Sequence, residues 1–497
     1  DGSCRTWINL VSGLPMKILA TAALSLLCMA TGTAAQVRIE TQAQQAVRVD
    51  AIMVALDSAR SPGAQVAVLH EGRVVLERGY GLAQLEYDVP VSPATVFHVA
   101  SVSKQFTAFA ITLLAQQGRL ALDDDVRKHL EELSRFPHHV TLRQLIHHTS
   151  GVRDQWELAQ MAGWRMDDVI TRDQIMRLMQ RQRDVNFAPG SEHLYSNMGY
   201  SLLAEVVERV SGRPFGEFLE ANVFQPLGMT STHVHNDHQR IVRNRAYSYA
   251  AAGSSGWRNA VLSYANQGAT SLFTTAGDLA RWLNNFETAQ VGGAAAIAQM
   301  RQRGILTNGD TLPYAFAIVR GAHRGRETWG HSGSDAGFRS YVVHFPQARL
   351  GVVVLSNAAS ANPSRLALQI ADVYLGETAQ VAAPNAQPRP QPTSATQPDP
   401  AAGWQPTPHE LRAFAGDYYS PELGVVYTFE QRDSTLWLVH RQGATRAQPL
   451  ERDVFRAGRT ARFERSEQGV ITGFRLTGGR VRDLRFFRLA TALPAIR

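Results

Sequence analysis

Apolar residues recur at helical spacing over residues 44–58, and the segment reads as an amphipathic helix. Residues 64–69 and 74–78 alternate instead, the two-residue period of a strand. His70-Glu71-Gly72-Arg73 between them supplies a turn, so the pair reads as a β-hairpin. A long middle section returns to helical periodicity, and strand patterns resume at 341–345 and 351–355. An antiparallel sheet assembled from both ends of this region, flanked by helices and with a helical region beside it, is the simplest arrangement: an α+β fold.

Over residues 378–408 this patterning stops. Pro, Ala, Gln and Thr dominate, as in Gln387-Pro388-Arg389-Pro390, a composition that buries no core and predicts an extended linker. Beyond it, residues 425–429 and 436–439 flank the turn Arg432-Asp433-Ser434, and further short runs lie at 461–464, 473–476 and 484–489. Evenly spaced short strands predict a small β-barrel or sandwich. The expected organisation is a leader over 1–35, a main domain over 40–377, the linker over 378–408 and a β-rich domain over 409–497. No catalytic constellation is visible in the last, and a binding, spacing or lid role is its default.

The leader has the form of an export signal. Met16-Lys17 gives a positive start, residues 18–30 an apolar stretch, and Thr33-Ala34-Ala35 the small residues of a cleavage site after Ala35. A periplasmic or secreted protein is expected. The apolar run is too short for a transmembrane helix, so none is expected in the mature chain. Cys4 and Cys28, the only cysteines, both lie in this leader. The mature chain would lack disulfides, thiol catalysis and cysteine-bound zinc. The full sequence of 497 residues has 50 basic and 43 acidic residues, a net charge of +7. That excess is not gathered into the basic stripe of a nucleic-acid binder, so no such partner is expected.

The choice of basic residues is more informative. Lys17, Lys104 and Lys128 are the only lysines. Arginine stays protonated near neutral pH, whereas a buried lysine can lose its proton. Lys104 closes the run Ser101-Val102-Ser103-Lys104 at the start of a predicted helix over 100–117, which Gly118 stops. Residues three apart share a helix face, so Ser101 and Lys104 are expected to meet. A serine hydroxyl needs a base to become a nucleophile, and a desolvated lysine is one. Tyr195-Ser196-Asn197 follows a Pro189-Gly190 turn and precedes a predicted helix over 199–210. Tyrosine can relay a proton and asparagine can hold a substrate amide. Tyr264-Ala265-Asn266 has the same form, and context favours Tyr195. His331-Ser332-Gly333-Ser334 precedes a strand whose edge could offer the Ser334 N–H to an oxyanion, with the Ser101 N–H as second donor. His70-Glu71-Gly72 and His323-Arg324-Gly325 share the HxG pattern but lack the Gly-Phe-x-Ser context that follows His331.

The order SxxK, YxN, HxG resembles the serine β-lactamase-related hydrolases that group with class C β-lactamases and DD-peptidases. Leu145-Ile146-His147-His148-Thr149-Ser150-Gly151 and Pro226-Leu227-Gly228-Met229 look like the same family, and the resemblance spans roughly residues 44–376. It implies a penicillin-binding-protein-like fold with its site in a cleft between sheet and helices. It implies acylation of Ser101 by an amide, ester or lactam, with Lys104 and Tyr195 sharing the acid–base work in an order left open. Asn197, His331, Gly333 and Ser334 would bind substrate, and no cofactor is implied. True β-lactamases of this group usually carry lysine where His331 stands. The resemblance therefore leans towards a DD-carboxypeptidase, D-aminopeptidase or esterase activity over a β-lactamase. The β-rich end resembles the extra domains of some such peptidases. Which small peptide, ester or lactam is the substrate stays open, as does the oligomeric state.

His233-Val234-His235-Asn236-Asp237-His238 matches the HxHxDH run of zinc hydrolases, but it does not leave a hydrophobic strand as such runs do. A non-catalytic binding homologue need not keep Ser101, Lys104 and Tyr195 together. No GxSxG elbow occurs, which argues against an α/β-hydrolase. His148 is expected to be packed and hydrogen-bonded, and Asp278 to anchor a helix.

Overall fold

The hairpin expected near the start of the main domain forms: Ala64–His70 (β1) and Arg73–Tyr80 (β2) pair antiparallel across the Glu71-Gly72 turn. The computed structural model describes residues 41–133, 136–263, 265–376 and 404–490. The leader with both cysteines, most of the expected linker, and Tyr264 lie outside the described residues. Val319–His323 (β3), Arg326–Asp335 (β4), Phe338–Phe345 (β5) and Leu350–Ser356 (β6) complete the sheet, in the order β3-β4-β5-β6-β1-β2. Every recorded pairing in it is antiparallel. The two ends of the domain therefore meet at the centre, where β1 lies against β6. Both central strands are apolar at nearly every position and buried on both faces, because helices cover both sides.

On one face pack Gln42–Met53 (α1) and Pro363–Leu375 (α6), with Val49, Val66, Val352 and Ile370 in their shared core. On the other lie Ser103–Gln116 (α2) and Ala276–Thr288 (α5), within a larger core that also holds Asn197–Ser211 (α4). Burial on both faces makes those strands read as runs of valine and leucine rather than alternation. Helix α1 ends at Met53, short of the expected 58, and passes into a 3-10 turn over Val54–Leu56. There Val54 faces solvent, so the apolar stripe no longer meets the sheet.

The β-rich end is a closed barrel of eight strands: Gly416–Ser420 (β7), Val425–Arg432 (β8), Thr435–His440 (β9), Gly443–Glu451 (β10), Val454–Ala457 (β11), Arg459–Arg465 (β12), Ile471–Gly478 (β13) and Val481–Arg488 (β14). Pairing of β14 with β7 closes it and decides between barrel and sandwich. Tyr418, Phe429, Phe463 and Phe474 interlock edge to face inside. The barrel is docked, not tethered. Leu158, Ala159 and Met161 of the short helix Gln155–Met161 (α3) share its hydrophobic core. Arg153, fully buried, forms an ion pair with Glu422 at 2.8 Å and donates to the carbonyl of Arg482. Among the described residues no helix is long and apolar enough to cross a membrane.

Candidate active site

Ser101 sits in a 3-10 turn over Ala100–Val102, not inside the helix predicted from residue 100. The reason is Ala100, whose φ of +48° no α-helix tolerates. This local strain turns the hydroxyl of Ser101, half-buried, out of the helix start. Lys104 follows in the first turn of α2 and is completely buried. Its Nζ lies 3.1 Å from Ser101 Oγ, 2.8 Å from Asn197 Oδ1 and 2.6 Å from the carbonyl oxygen of Ala269. The orientation of Asn197 is settled by its other end, since Nδ2 donates to Asp154 Oδ2 at 2.8 Å. Asn197 Oδ1 and the Ala269 carbonyl are both acceptors. A neutral amine has two hydrogens for them, which leaves its lone pair facing the Ser101 hydroxyl. Burial is the largest influence on Lys104 and brings its pKa down to about 7.

The Oη of Tyr195 is buried and lies beside Ser101 Oγ without a formed hydrogen bond. The Tyr195 ring packs on His148 at 4.1 Å and faces Lys104 Nζ at 4.9 Å. Burial pushes its phenol above the usual tyrosine range. The phenol is therefore protonated at neutral pH, while the lysine beside it is not wholly so. The second YxN sequence does different work, as Asn266 hydrogen-bonds the carbonyl of Ile170.

His331, on β4, is buried and neutral. Its Nδ1 lies 2.6 Å from the Ser332 carbonyl oxygen and must donate there. Its Nε2 is therefore an acceptor and receives a hydrogen bond from the Tyr314 hydroxyl at 3.1 Å. His148 Nδ1 accepts from the Ser196 N–H, so its Nε2 carries a proton and donates to Tyr314 Oη at 3.2 Å. Each bond in this directed chain sets the next. Burial first, then the charge of Lys104, lowers the His331 pKa to about 4. The third motif thus offers no cation. Its glycine has a steric reason: a Cβ on Gly333 would stand 2.3 Å from the Val99 carbonyl oxygen. Only glycine lets β4 approach the turn bearing Ser101, with Ser334 next along the strand. Beyond Gly330, β4 pairs only with β5. The other two HxG sequences occupy the β1–β2 and β3–β4 turns.

His233-Val234 forms a short strand beside Leu272–Thr274, and His233 and His235 pack on Phe273 with ring centroids 5.8 Å apart. Among the described residues no three His, Cys, Asp or Glu side chains are grouped to hold a metal ion.

The sequence model of the β-lactamase family matches residues 43–377. The chain belongs to that family. A D-aminopeptidase of Gluconobacter oxydans is 29% identical over 300 residues, which are 60% of this chain and 56% of that protein. The chain thus spans little more than half the length of that relative. The penicillin-binding protein homologue of Pyrococcus abyssi superposes with a TM-score of 0.59 at 21% identity, over 90% of this chain and 99% of its own. EstCE1, a hydrolase with promiscuous acyltransferase activity, gives a TM-score of 0.57 at 25% identity, over 67% and 99%.

Within this family frame, sequence reasoning missed Asp154, the Ala269 carbonyl, Tyr314 and Arg480. Asp154 is fully buried; its Oδ2 accepts the Asn197 N–H as well as Nδ2, and its Oδ1 caps α3. Gly268 brings the Ala269 carbonyl into place, since a Cβ there would lie 2.4 Å from the Tyr200 carbonyl oxygen. None of these carries a local pattern; each matters through what the fold sets beside it.

Proposed function

We propose that this serine hydrolase of the beta-lactamase family cleaves amide bonds of small D-amino-acid peptides, in the manner of a D-aminopeptidase, through an acyl-enzyme on Ser101. The observation that carries this reading is the wiring of Lys104. Its amine is desolvated, with Nζ 2.8 Å from Asn197 Oδ1, 2.6 Å from the Ala269 carbonyl oxygen and 3.1 Å from Ser101 Oγ; in the neutral form the two acceptors take its hydrogens and the lone pair is left for the serine hydroxyl. Lys104 takes the Ser101 proton as Oγ attacks the substrate carbonyl carbon. The backbone N–H groups of Ser101 and Ser334 receive the oxyanion. Tyr195, protonated and beside Ser101, gives its proton to the departing amine and is reprotonated by the Lys104 ammonium; water then attacks the acyl carbonyl carbon while losing a proton to the Lys104 amine, and Ser101 Oγ leaves carrying that proton. Asn197 orients Lys104 in this scheme, beyond the substrate-binding part expected of it.

The neutral His331 supports a peptidase over a β-lactamase, because no cation stands in the third motif for a lactam's carboxylate. The D-aminopeptidase relative supports the substrate class. Export belongs to the same proposal, supported by the apolar run over 18–30; sequencing the mature N-terminus checks it. The deciding experiment is intact-mass analysis after a fluorophosphonate and, separately, a penicillin, each with EDTA, alongside turnover of D- and L-alanine anilides. An adduct on Ser101 and preference for the D-anilide are expected. No adduct, with hydrolysis that EDTA abolishes, would move the chemistry to the His233–His238 run.

A further inference from the structure

The β13–β14 turn of the barrel reaches the floor of the site. Arg480, in that turn, places Nη2 3.0 Å from Asp154 Oδ1 and Nε 3.9 Å from Glu157 Oε1. The carbonyl of Arg480 accepts from Asn186 Nδ2 at 2.9 Å, and Asn186 Oδ1 accepts the Arg482 N–H at 2.7 Å, which pins the turn from both sides. From the guanidinium a continuous path runs through Asp154 to Asn197, from Asn197 to Lys104, and from Lys104 to Ser101.

A buried carboxylate one residue removed from the lysine favours its ammonium form, which is useless as a base. Something must offset it. We propose that Arg480 is a positioning residue for Lys104: by holding Asp154 it keeps Asn197 turned towards the lysine and cancels the charge that would otherwise keep the amine protonated. This rests on the reading of Lys104 as base. The charged and titratable groups around Lys104 are Ser101 on its turn, Tyr195 and Tyr200 from the next motif, His148, and His331 and Asp335 from β4, with Asp154 and Arg480 behind Asn197. Asp154 and Asp335 favour the ammonium; Arg480 opposes them. Among the described residues it is the barrel cation that acts on Lys104, so the barrel takes part in the chemistry without touching substrate.

The test is the pH profile of kcat/KM, and of fluorophosphonate labelling, for wild type, Arg480→Gln and Arg480→Lys, with melting curves as a folding control. In Arg480→Gln the acidic limb should move up by about one pH unit, so that kcat/KM at pH 6 relative to pH 9 falls roughly tenfold further than in wild type. Arg480→Lys, with a cation of shorter reach, should fall between. A limb that stays in place, or a profile scaled down equally at every pH, overturns the proposal. If Arg480→Gln does not fold, the reading is taken on Arg480→Lys, where a smaller shift in the same direction is expected and an unmoved limb overturns it. Failure of wild type to label at Ser101 would instead defeat the acyl-enzyme reading itself, so the two failures are distinguishable.

Discussion

Replacing Tyr314 by phenylalanine removes one oxygen atom and two hydrogen bonds. That oxygen accepts from His148 Nε2 and donates to His331 Nε2, and all three side chains are buried. The ring of phenylalanine fills the same space, so no cavity opens and the loss is electrostatic. A buried donor and a buried acceptor are left without partners, each costing roughly 1–3 kcal/mol. With partial relaxation the total is about 2–4 kcal/mol. Tyr314 touches no reacting atom in the proposed mechanism. It holds His331 through Nε2 and, through His148, the ring against which Tyr195 packs. Melting curves of Tyr314→Phe, His331→Leu and the double variant form a cycle. If the chain acts as a unit, the two changes should couple by about 0.5–3 kcal/mol, since removing His331 makes part of the Tyr314 hydroxyl redundant. Additive effects, or an unchanged melting midpoint in Tyr314→Phe, would refute the directed chain and the tautomer of His331 derived from it.

Other outcomes follow from separate parts of the structure. Gly333→Ala sets a methyl group against the Val99 carbonyl and Ser340 Oγ, forcing β4 away from the Ser101 turn. On the proposed mechanism kcat/KM should fall about a hundredfold, the scale of a misplaced oxyanion donor; near-normal turnover would remove Ser334 from that role. Glu422→Ala leaves Arg153 buried without its counter-charge and should cost about 3–5 kcal/mol, seen as an early melting transition with loss of hydrogen-exchange protection in β13 and β14. Acid should weaken the fold before carboxylates matter. Burial holds His147 and His331 at about 4, below the ordinary histidine value of about 6.5, so the unfolded chain binds protons first. Their contribution is complete above pH ~6.5 and lost as pH falls through the folded value, about 2 kcal/mol each by pH 5. A melting point flat between pH 7 and pH 5 would contradict this.

Much of the frame was legible along the chain. The β1–β2 hairpin, the strands that became β5 and β6, and the approach of Ser101 to Lys104 rest on local periodicity, which needs no knowledge of the rest of the fold. So does the separation of a β-rich end. The departures have local causes that apolar patterning does not encode. The positive φ of Ala100 splits the expected helix into a 3-10 turn and α2. Helix α4 starts at Asn197, two residues before the predicted start, and so brings the asparagine into the first helical turn. Residues 443–451 carry little apolar alternation, and β10 is a strand because its neighbours pair with it. Asp154 and Arg480 are more than 300 positions apart and could not be joined by any sequence spacing. Both were ordinary surface-type residues until the fold buried one and brought the other to it.

The shared core of α3 and the barrel has a consequence for how the molecule can be divided. A contact that buries Leu158, Met161 and an arginine–glutamate pair behaves like a subunit interface. Two fragments, 42–376 and 404–490, would then be expected to find each other as separate polypeptides. Turnover would become second-order in fragment concentration and vanish on dilution. A peptide bond that joins such parts sets their local concentration; recognition between them resides in the surfaces.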